Sequence, residues 1–256
     1  MLVDFAIDLN DVIVFFIGFL YVLIVLGIGD LTRRKLNKGS NFTRKIIHLF
    51  AGIVIWTVPY YPHPWVATLL AFTFVVFLAV ANSKRFGRFF AAMARPEDLE
   101  HGSVRGPFWY AVSITLLTGL FTFTGYDRLY FVAAAAIHIM MFGDGMSAPI
   151  GLKYGKNHMR TVFGSKRSPP GSFALFAFGF LGAVLAFWFF GVFNYGVFIG
   201  GGQILWVPMI FLALIASISA TLIELVSPRG TDNVTLPFLT SLIIFVVGMQ
   251  MGLVVL

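Results

Sequence analysis

The sequence predicts an all-α fold, a polytopic bundle of about eight transmembrane helices that forms a single domain over residues 1–256. The chain is 59% hydrophobic and 11% charged, whereas a soluble domain carries roughly 25% charged residues. Its mean hydropathy is +0.89, and apolar segments of roughly the 20 residues that cross a bilayer recur along it. The chain has no cysteine, which excludes disulfides and thiol chemistry.

Eight apolar segments set the order of the predicted helices. Their approximate limits are 11–29, 46–62, 64–82, 107–124, 128–146, 171–193, 204–226 and 235–255. The second segment ends in the proline-rich tip 59–64 and the third follows at once, which predicts a tight helical hairpin. Residues 83–106 place phenylalanines at helical spacing beside arginines, which predicts an amphipathic interfacial helix in the headgroup region.

The distribution of basic residues supports eight spans. All but one of the 18 lysines and arginines fall in the loops 30–45, 83–106, 147–170 and 227–234, which share one side of the membrane if there are eight spans. Because cytoplasmic loops are enriched in Lys and Arg, we expect these loops in the cytoplasm and both termini outside. The net charge of +7 therefore indicates topology, and we expect no nucleic-acid partner.

The stretch 143–172 carries the chemistry that is least expected in a membrane protein. Asp144 stands between two glycines at the end of an apolar segment, and a charge there is costly. We expect the helix to break or kink at Gly-Asp-Gly, with Ser147 as the N-cap of a new helix. Five cations follow, Lys153, Lys156, Arg160, Lys166 and Arg167. A carboxylate that holds magnesium and a group of cations fit a polyphosphate. The structural alternative is that Asp144 is a helix-end charge that reaches water or pairs with a lysine.

Three further groups suit the same chemistry. Glu224, Asp232 and Asn233 surround a turn between the last two segments, where the alternative is an ordinary polar loop. Arg44, Lys45 and His48 open the second segment, where the alternative is flanking charge that follows the positive-inside rule. The turn GSKRSPPGS, residues 164–172, resembles a phosphate-binding loop without the Walker A spacing. His138 lies mid-segment, which is typical of a hydrogen-bonded core histidine rather than a ligand.

These motifs together resemble the polyprenol kinase family, which comprises dolichol kinase, phytol kinase and CTP-dependent diacylglycerol kinase. Arg44-Lys45 and His48 resemble the family's RKxxH, and residues 143–155 resemble its GDxxAxxxGxxxG. Lys166 to Ser172 resembles its K-K-[ST]-x-E-G-[ST] turn, and Glu224 followed by Asp232-Asn233 and Pro237 resembles its closing signature. The four motifs occur in the family's order, but Pro170 stands where the family usually has glutamate.

The resemblance implies a CTP-dependent kinase, with ATP as the less favoured donor, that phosphorylates a long-chain lipid alcohol at the cytoplasmic face. The alcohol would be dolichol, phytol, geranylgeraniol or diacylglycerol. Magnesium would be held by Asp144 and Asp232, with Glu224 as a further metal candidate. The catalytic candidates are Asp144, Glu224, Lys45 and His48, and either Asp144 or Glu224 would orient the lipid hydroxyl. The nucleotide-binding candidates are Arg44, Gly143, Gly151, Lys153, Gly155, Lys166, Arg167, Ser168, Gly171, Ser172 and Asn233.

Two other functions stay open at this point. A CTP-dependent cytidylyltransferase that makes a CDP-lipid would use CTP differently, at the α-phosphate. An anion transporter would bind its substrate near the bilayer midplane, whereas the polar residues here are predicted at one face. The compact chain favours a prokaryotic plasma membrane, or an endoplasmic reticulum or plastid membrane in a eukaryote. The expected partners are a lipid alcohol, a nucleoside triphosphate and membrane lipids.

Overall fold

The computed structural model describes residues 3–35, 40–81, 105–193, 206–228 and 230–255. The chain divides into two compact units, of which one comprises Asp4–Gly119 and the other contains Leu120–Leu256. The predicted amphipathic segment 83–106 lies outside the described residues up to residue 104.

The regular elements that the structure describes in the first unit are all helices. They are α1 (Leu9–Lys35), α2 (Ser40–Ala51) with its 3₁₀ continuation Gly52–Tyr60, α3 (Trp65–Ala81) and α4 (Arg105–Thr122), whose last residues belong to the second unit. Val22 of α1 packs with Leu70 and Phe74 of α3 in one apolar cluster. The connection between Tyr60 and Trp65 is short, as the proline-rich tip predicts.

A buried carboxylate fixes this short connection to the start of α1. Asp11 is fully buried, and it accepts hydrogen bonds from the main-chain N of His63 at 3.0 Å and from the main-chain N of Asp8 at 3.0 Å. The Nδ1 atom of His63 lies 2.7 Å from the Asp11 carboxylate. This hydrogen bond raises the pKa of His63 above its ordinary value. The connection is therefore held by a charge-assisted pair rather than by apolar packing alone.

The second unit is organised around one buried helical run, Asp127–Tyr154. It consists of a 3₁₀ turn, helix α5 (Tyr130–His138), a π segment (Ile139–Asp144) and helix α6 (Gly145–Tyr154). Residues 130–141 are all buried, because this run packs against neighbours that come later in the chain. They are helix α7 (Pro169–Ala186) with its π extension Phe187–Phe193, helix α8 (Trp206–Val226) and helix α9 (Asp232–Gln250).

A β-hairpin, β1 (Arg160–Val162) and β2 (Ser165–Arg167), joins α6 to α7. Its two turn residues, Phe163 and Gly164, have positive φ angles of 46° and 78°. Positive φ at both central positions is the type I′ geometry that suits the twist of a two-residue hairpin. The antiparallel register places Arg160 opposite Arg167 and Thr161 opposite Lys166.

The chain is an integral membrane protein with an all-α fold, apart from this hairpin, in its described part. A helix lies at each of the eight predicted segments. Within the described residues, six helical runs are long and apolar enough to cross a membrane, and α3 is a shorter apolar helix of 17 residues. The number of spans and the side of the termini stay predictions.

Candidate active site

Asp144 lies in the middle of a helical run rather than at a helix end. The predicted helix start at Ser147 is wrong, because the π segment ends at Asp144 and α6 begins at Gly145 without interruption. A π turn takes up one extra residue, so the backbone stays helical through both glycines. Ser147 Oγ instead donates a hydrogen bond to the Asp144 carbonyl at 3.0 Å. Asp144 is buried, and π turns inside α-helices often mark functional sites.

Glycines on both sides of the contact allow the run Asp127–Tyr154 to approach helix α7 closely. A Cβ on Gly143 would lie 2.9 Å from the Leu175 carbonyl oxygen on α7. A Cβ on Gly151 would lie 2.9 Å from Ser168 Oγ, and a Cβ on Gly171 would lie 3.1 Å from the Ser147 carbonyl oxygen. Small residues allow such close approach between helices in membranes. Helix packing therefore accounts for these positions, while their predicted contact with a nucleotide stays a prediction.

Gly155, the last glycine of the motif, is the most tightly enclosed. A Cβ there would lie 2.4 Å from Ser168 Oγ and 2.8 Å from the Gly151 carbonyl oxygen. Its φ of −113° is open to any residue, so the requirement for glycine is one of space. Ser168 is the N-cap of α7 and its Oγ accepts from the main-chain N of Gly171 at 3.3 Å. The hairpin is therefore fixed at both ends, at Gly155 and at Ser168.

Arg167 of the hairpin and Glu224 of α8 form a buried ion pair. Their side chains are 13% and 4% exposed, and the Nη1 atom of Arg167 contacts the Oε1 atom of Glu224. The Nη2 atom of Arg167 donates to the main-chain carbonyl of Glu224 at 2.9 Å. The sequence separates the two residues by 57 positions and gives no signal that they pair. Glu224 therefore binds a cation of the chain itself, which the sequence did not predict.

The turn between α8 and α9 is closed by hydroxyl hydrogen bonds. Ser227 Oγ donates to the Ile223 carbonyl at 2.7 Å and lies 2.7 Å from Thr235 Oγ1. This places Asp232 and Asn233 in the first turn of α9, where the helix dipole favours negative charge. Asn233 is buried, and its main-chain N donates to the Asp232 carboxylate at 3.1 Å.

The carboxylates Asp144, Glu224 and Asp232 do not form a compact three-ligand cage. Among the described residues, the cluster with that geometry is Asp8, Asp11 and His63 in the first unit, and its groups already bond to one another. Magnesium at a nucleotide site needs only one or two carboxylates besides phosphate oxygens and water. Asp144, Asp232 and Glu224 therefore stay predicted metal ligands, and the Glu224 carboxylate also contacts Arg167.

The other predicted site residues differ in their exposure to solvent. Lys153 and Lys166 are exposed and Ser172 is half-buried in the second unit. The described part of the first unit holds Arg44 and Lys45, both half-buried on α2. His138 is a core histidine, as expected, because it is fully buried with Nδ1 2.8 Å from the Ala134 carbonyl oxygen.

His48 is buried on α2, and its ring packs at a tilt of 42° against Tyr110 of α4. The two ring centroids lie 4.2 Å apart, and the Tyr110 hydroxyl donates to the His48 main-chain carbonyl at 2.9 Å. The tyrosine therefore fixes both the ring and the backbone of the histidine. This contact gives His48 a packing role in the first unit, and its predicted catalytic role stays a prediction.

Comparison with known proteins finds relatives that resemble the chain over most of its length. A protein named phytol kinase from Synechocystis sp. is 30% identical over 222 residues, which cover 85% of this chain and 86% of the relative. Probable phytol kinase 2, chloroplastic, from Glycine max is 26% identical over 84% of this chain and 68% of its own length. A probable chloroplastic phytol kinase from Zea mays is 25% identical over 84% and 69%. No protein-family model and no solved structure matches the chain.

Proposed function

Because this chain belongs to the phytol kinase family, and is thus a phosphotransferase that acts on a lipid alcohol, we propose that it phosphorylates a long-chain isoprenoid alcohol such as phytol. The single observation that carries this choice is the similarity to the Synechocystis phytol kinase over 85% of the chain. The second unit supports it, since it combines the buried Asp144 with a hairpin that carries Lys166 and Arg167. Dolichol, geranylgeraniol and diacylglycerol are the alternative acceptors.

The proposed reaction is an in-line displacement at the terminal phosphorus of the donor. The lipid hydroxyl oxygen forms a bond to the γ-phosphorus while the bond to the β-phosphate oxygen breaks. A nucleoside diphosphate leaves, and a carboxylate takes the hydroxyl proton. Such a reaction depends mainly on positioning and on charge stabilisation. Exposed cations such as Lys166 and Lys153 are suited to neutralising the donor oxygens.

Asp144 and Glu224 are the two proposed proton acceptors. Both were open from the sequence, and the Glu224 carboxylate is engaged by Arg167. A cation beside a carboxylate favours its ionised form and weakens it as a proton acceptor, which holds equally for Asp144 when it binds magnesium. Asp144 stands in the π segment, where the helix geometry is locally changed. Arg44, Lys45 and His48 are proposed as additional donor-binding and catalytic residues of the first unit.

Magnesium is the proposed cofactor. When bound, it would neutralise negative charge that develops on the donor during phosphoryl transfer. Asp144 and Asp232 are the residues proposed to hold it. We propose CTP as the donor on the basis of the motif resemblance, and the cytoplasmic face of the membrane as the place of reaction on the basis of the positive-inside pattern.

The test is a labelling experiment with purified protein in lipid or detergent. The protein is incubated with magnesium and γ-labelled CTP or γ-labelled ATP. The acceptors are phytol, geranylgeraniol, a long polyprenol and diacylglycerol. Label in a lipid product establishes the kinase and identifies both donor and acceptor. An Asp144→Asn variant that is inserted normally serves as the matched control.

Two results would contradict the proposal. Release of pyrophosphate from CTP in the presence of a phosphatidic acid, with no label in any alcohol, would indicate a cytidylyltransferase. Uptake of an unmodified anion into sealed vesicles that contain the protein, again without label in any lipid, would indicate a transporter. Label in diacylglycerol alone would keep the reaction and replace the acceptor.

A further inference from the structure

Two arginines stand directly opposite each other on the hairpin. The register pairs Arg160 with Arg167, and residues that are directly opposite share one face of the ladder. Like charges in this position destabilise a pair of strands. Each strand has only three residues, and a two-stranded hairpin is marginal by itself. The arrangement therefore needs negative charge from elsewhere.

Within the described residues, Glu224 supplies that charge to Arg167. Its carboxylate and its main-chain carbonyl both contact Arg167. The sequence has no Asp or Glu between Asp144 and Glu224, so the hairpin segment has no acid of its own. Arg160 is exposed. The Nε–H of Arg167 is buried and makes no hydrogen bond within the described residues, although an unmatched buried donor is costly.

We propose that Arg160 and Arg167 together bind one phosphate group of the donor nucleotide, and that Glu224 is a positioning residue that fixes Arg167 for this contact. The inference rests on the proposed function and assigns a part of its donor site. The planar guanidinium fork of the exposed Arg160 matches the oxygens of a phosphate group, which a lysine does only as a point charge, while Arg167, whose Nη atoms contact Glu224, adds a second guanidinium beside it. Arg160 is thus a binding residue that the motif resemblance does not include.

The same chemistry would also suit the phosphate of a lipid headgroup, and the experiment separates the two sources. Arg160→Gln and Arg160→Lys are compared with Arg34→Gln, which neutralises an exposed arginine paired with Asp30 on α1. For each protein the KM for CTP, the KM for the lipid alcohol and the binding to anionic phosphatidylglycerol vesicles are measured. Because Arg160 is exposed, its replacement should leave folding intact.

We expect Arg160→Gln to raise the KM for CTP by about tenfold or more, which is the loss of one charge-assisted contact. Arg160→Lys should recover part of that loss, and Arg34→Gln should match the unmodified protein. An unchanged KM for CTP in Arg160→Gln overturns the proposal, and so does an effect confined to the KM for the alcohol or to vesicle binding.

Glu224 is tested through its partner. Glu224→Gln should raise the KM for CTP, and Arg167→Gln added to it should raise that KM little further, because both changes disable the same guanidinium. A folded Glu224→Gln protein with a normal KM for CTP refutes the positioning role. If Glu224→Gln does not fold, the Arg160 variants still decide the phosphate contact.

Failure of the proposed function can be told apart from failure of this inference. The shift in melting temperature caused by CTP reports donor binding without any turnover. If no lipid is labelled, but CTP stabilises the unmodified protein and not Arg160→Gln, the arginine pair is supported and the kinase assignment is not. If CTP stabilises both proteins equally, the arginine pair is refuted.

Discussion

Replacing Gly155 with alanine should destabilise the protein. The new Cβ would lie 2.4 Å from Ser168 Oγ, 2.6 Å from Ser168 Cβ and 2.8 Å from the Gly151 carbonyl oxygen. None of these atoms is the end of a long flexible side chain, so the backbone has to move. Inserting a methyl group into such a packed site costs about 1–3 kcal/mol. For a chain of this size, each kcal/mol lowers the melting temperature by about 2–4 °C, so a fall of about 2–12 °C is expected.

The matched control is the same substitution at Gly27 in α1. A Cβ there meets nothing within 4 Å, and alanine in a helix interior is favoured over glycine by about 0.5–1 kcal/mol. Gly27→Ala should therefore raise the melting temperature slightly, whereas Gly155→Ala should lower it. Both are measured by thermal unfolding in one detergent, without nucleotide and with CTP.

The competing explanation is that Gly155 is small because a nucleotide approaches the backbone there. In that case Gly155→Ala would melt normally without nucleotide and lose only the stabilisation by CTP. That result would refute the packing argument. A lower melting temperature in the absence of any nucleotide, with part of the CTP effect retained, supports it.

Three other predictions concern Asp144, Ser168 and the pair of His63 with Asp11. Asp144→Asn should reduce lipid phosphorylation by at least about a hundredfold with normal insertion and melting, as expected for loss of a magnesium ligand or a general base, and near-normal turnover would refute both proposed roles of Asp144. Ser168→Ala should lower the stability by about 1 kcal/mol through loss of the N-cap, and an unchanged melting temperature would refute the capping role. The pKa of His63 is raised by its hydrogen bond to Asp11. The pair therefore stabilises the folded protein fully at pH values below the ordinary pKa of histidine, and this stabilisation is lost as the pH rises through the raised pKa. The melting temperature should therefore fall as the pH rises through that window, and Asp11→Asn should flatten this dependence.

The positions of the helices could be predicted from the sequence because they depend on the hydropathy of residues that are neighbours in the chain. Apolar length alone placed a helix near each of the eight segments. The short connection after Tyr60 followed from its prolines. The core position of His138 followed from its apolar surroundings. Each of these depends on residues that are neighbours in the chain.

The features that were missed depend on contacts between distant residues. Ser147 follows glycines and precedes Pro149, which is the pattern of an N-cap, yet the π segment carries the helix through. No local signal distinguishes a helix break from a π turn at Gly-Asp-Gly. The pairing of Arg167 with Glu224 joins residues 57 positions apart, and a single sequence holds no trace of it. The hairpin turn could have been suspected from Gly164, but Phe163 at positive φ could not.

The π segment also bears on how this chain should be aligned with its relatives. It holds one residue more than an α-helix of the same height, and each residue turns an α-helix by about 100°. Residues before Ile139 and after Asp144 therefore follow two different helical phases, and a single hydrophobic period drawn through both misplaces one of them. A relative with one residue fewer between His138 and Gly145 could keep both packing faces and yet aim its aspartate in another direction. A one-residue gap at this point of an alignment would thus mark a change of chemistry rather than a change of fold.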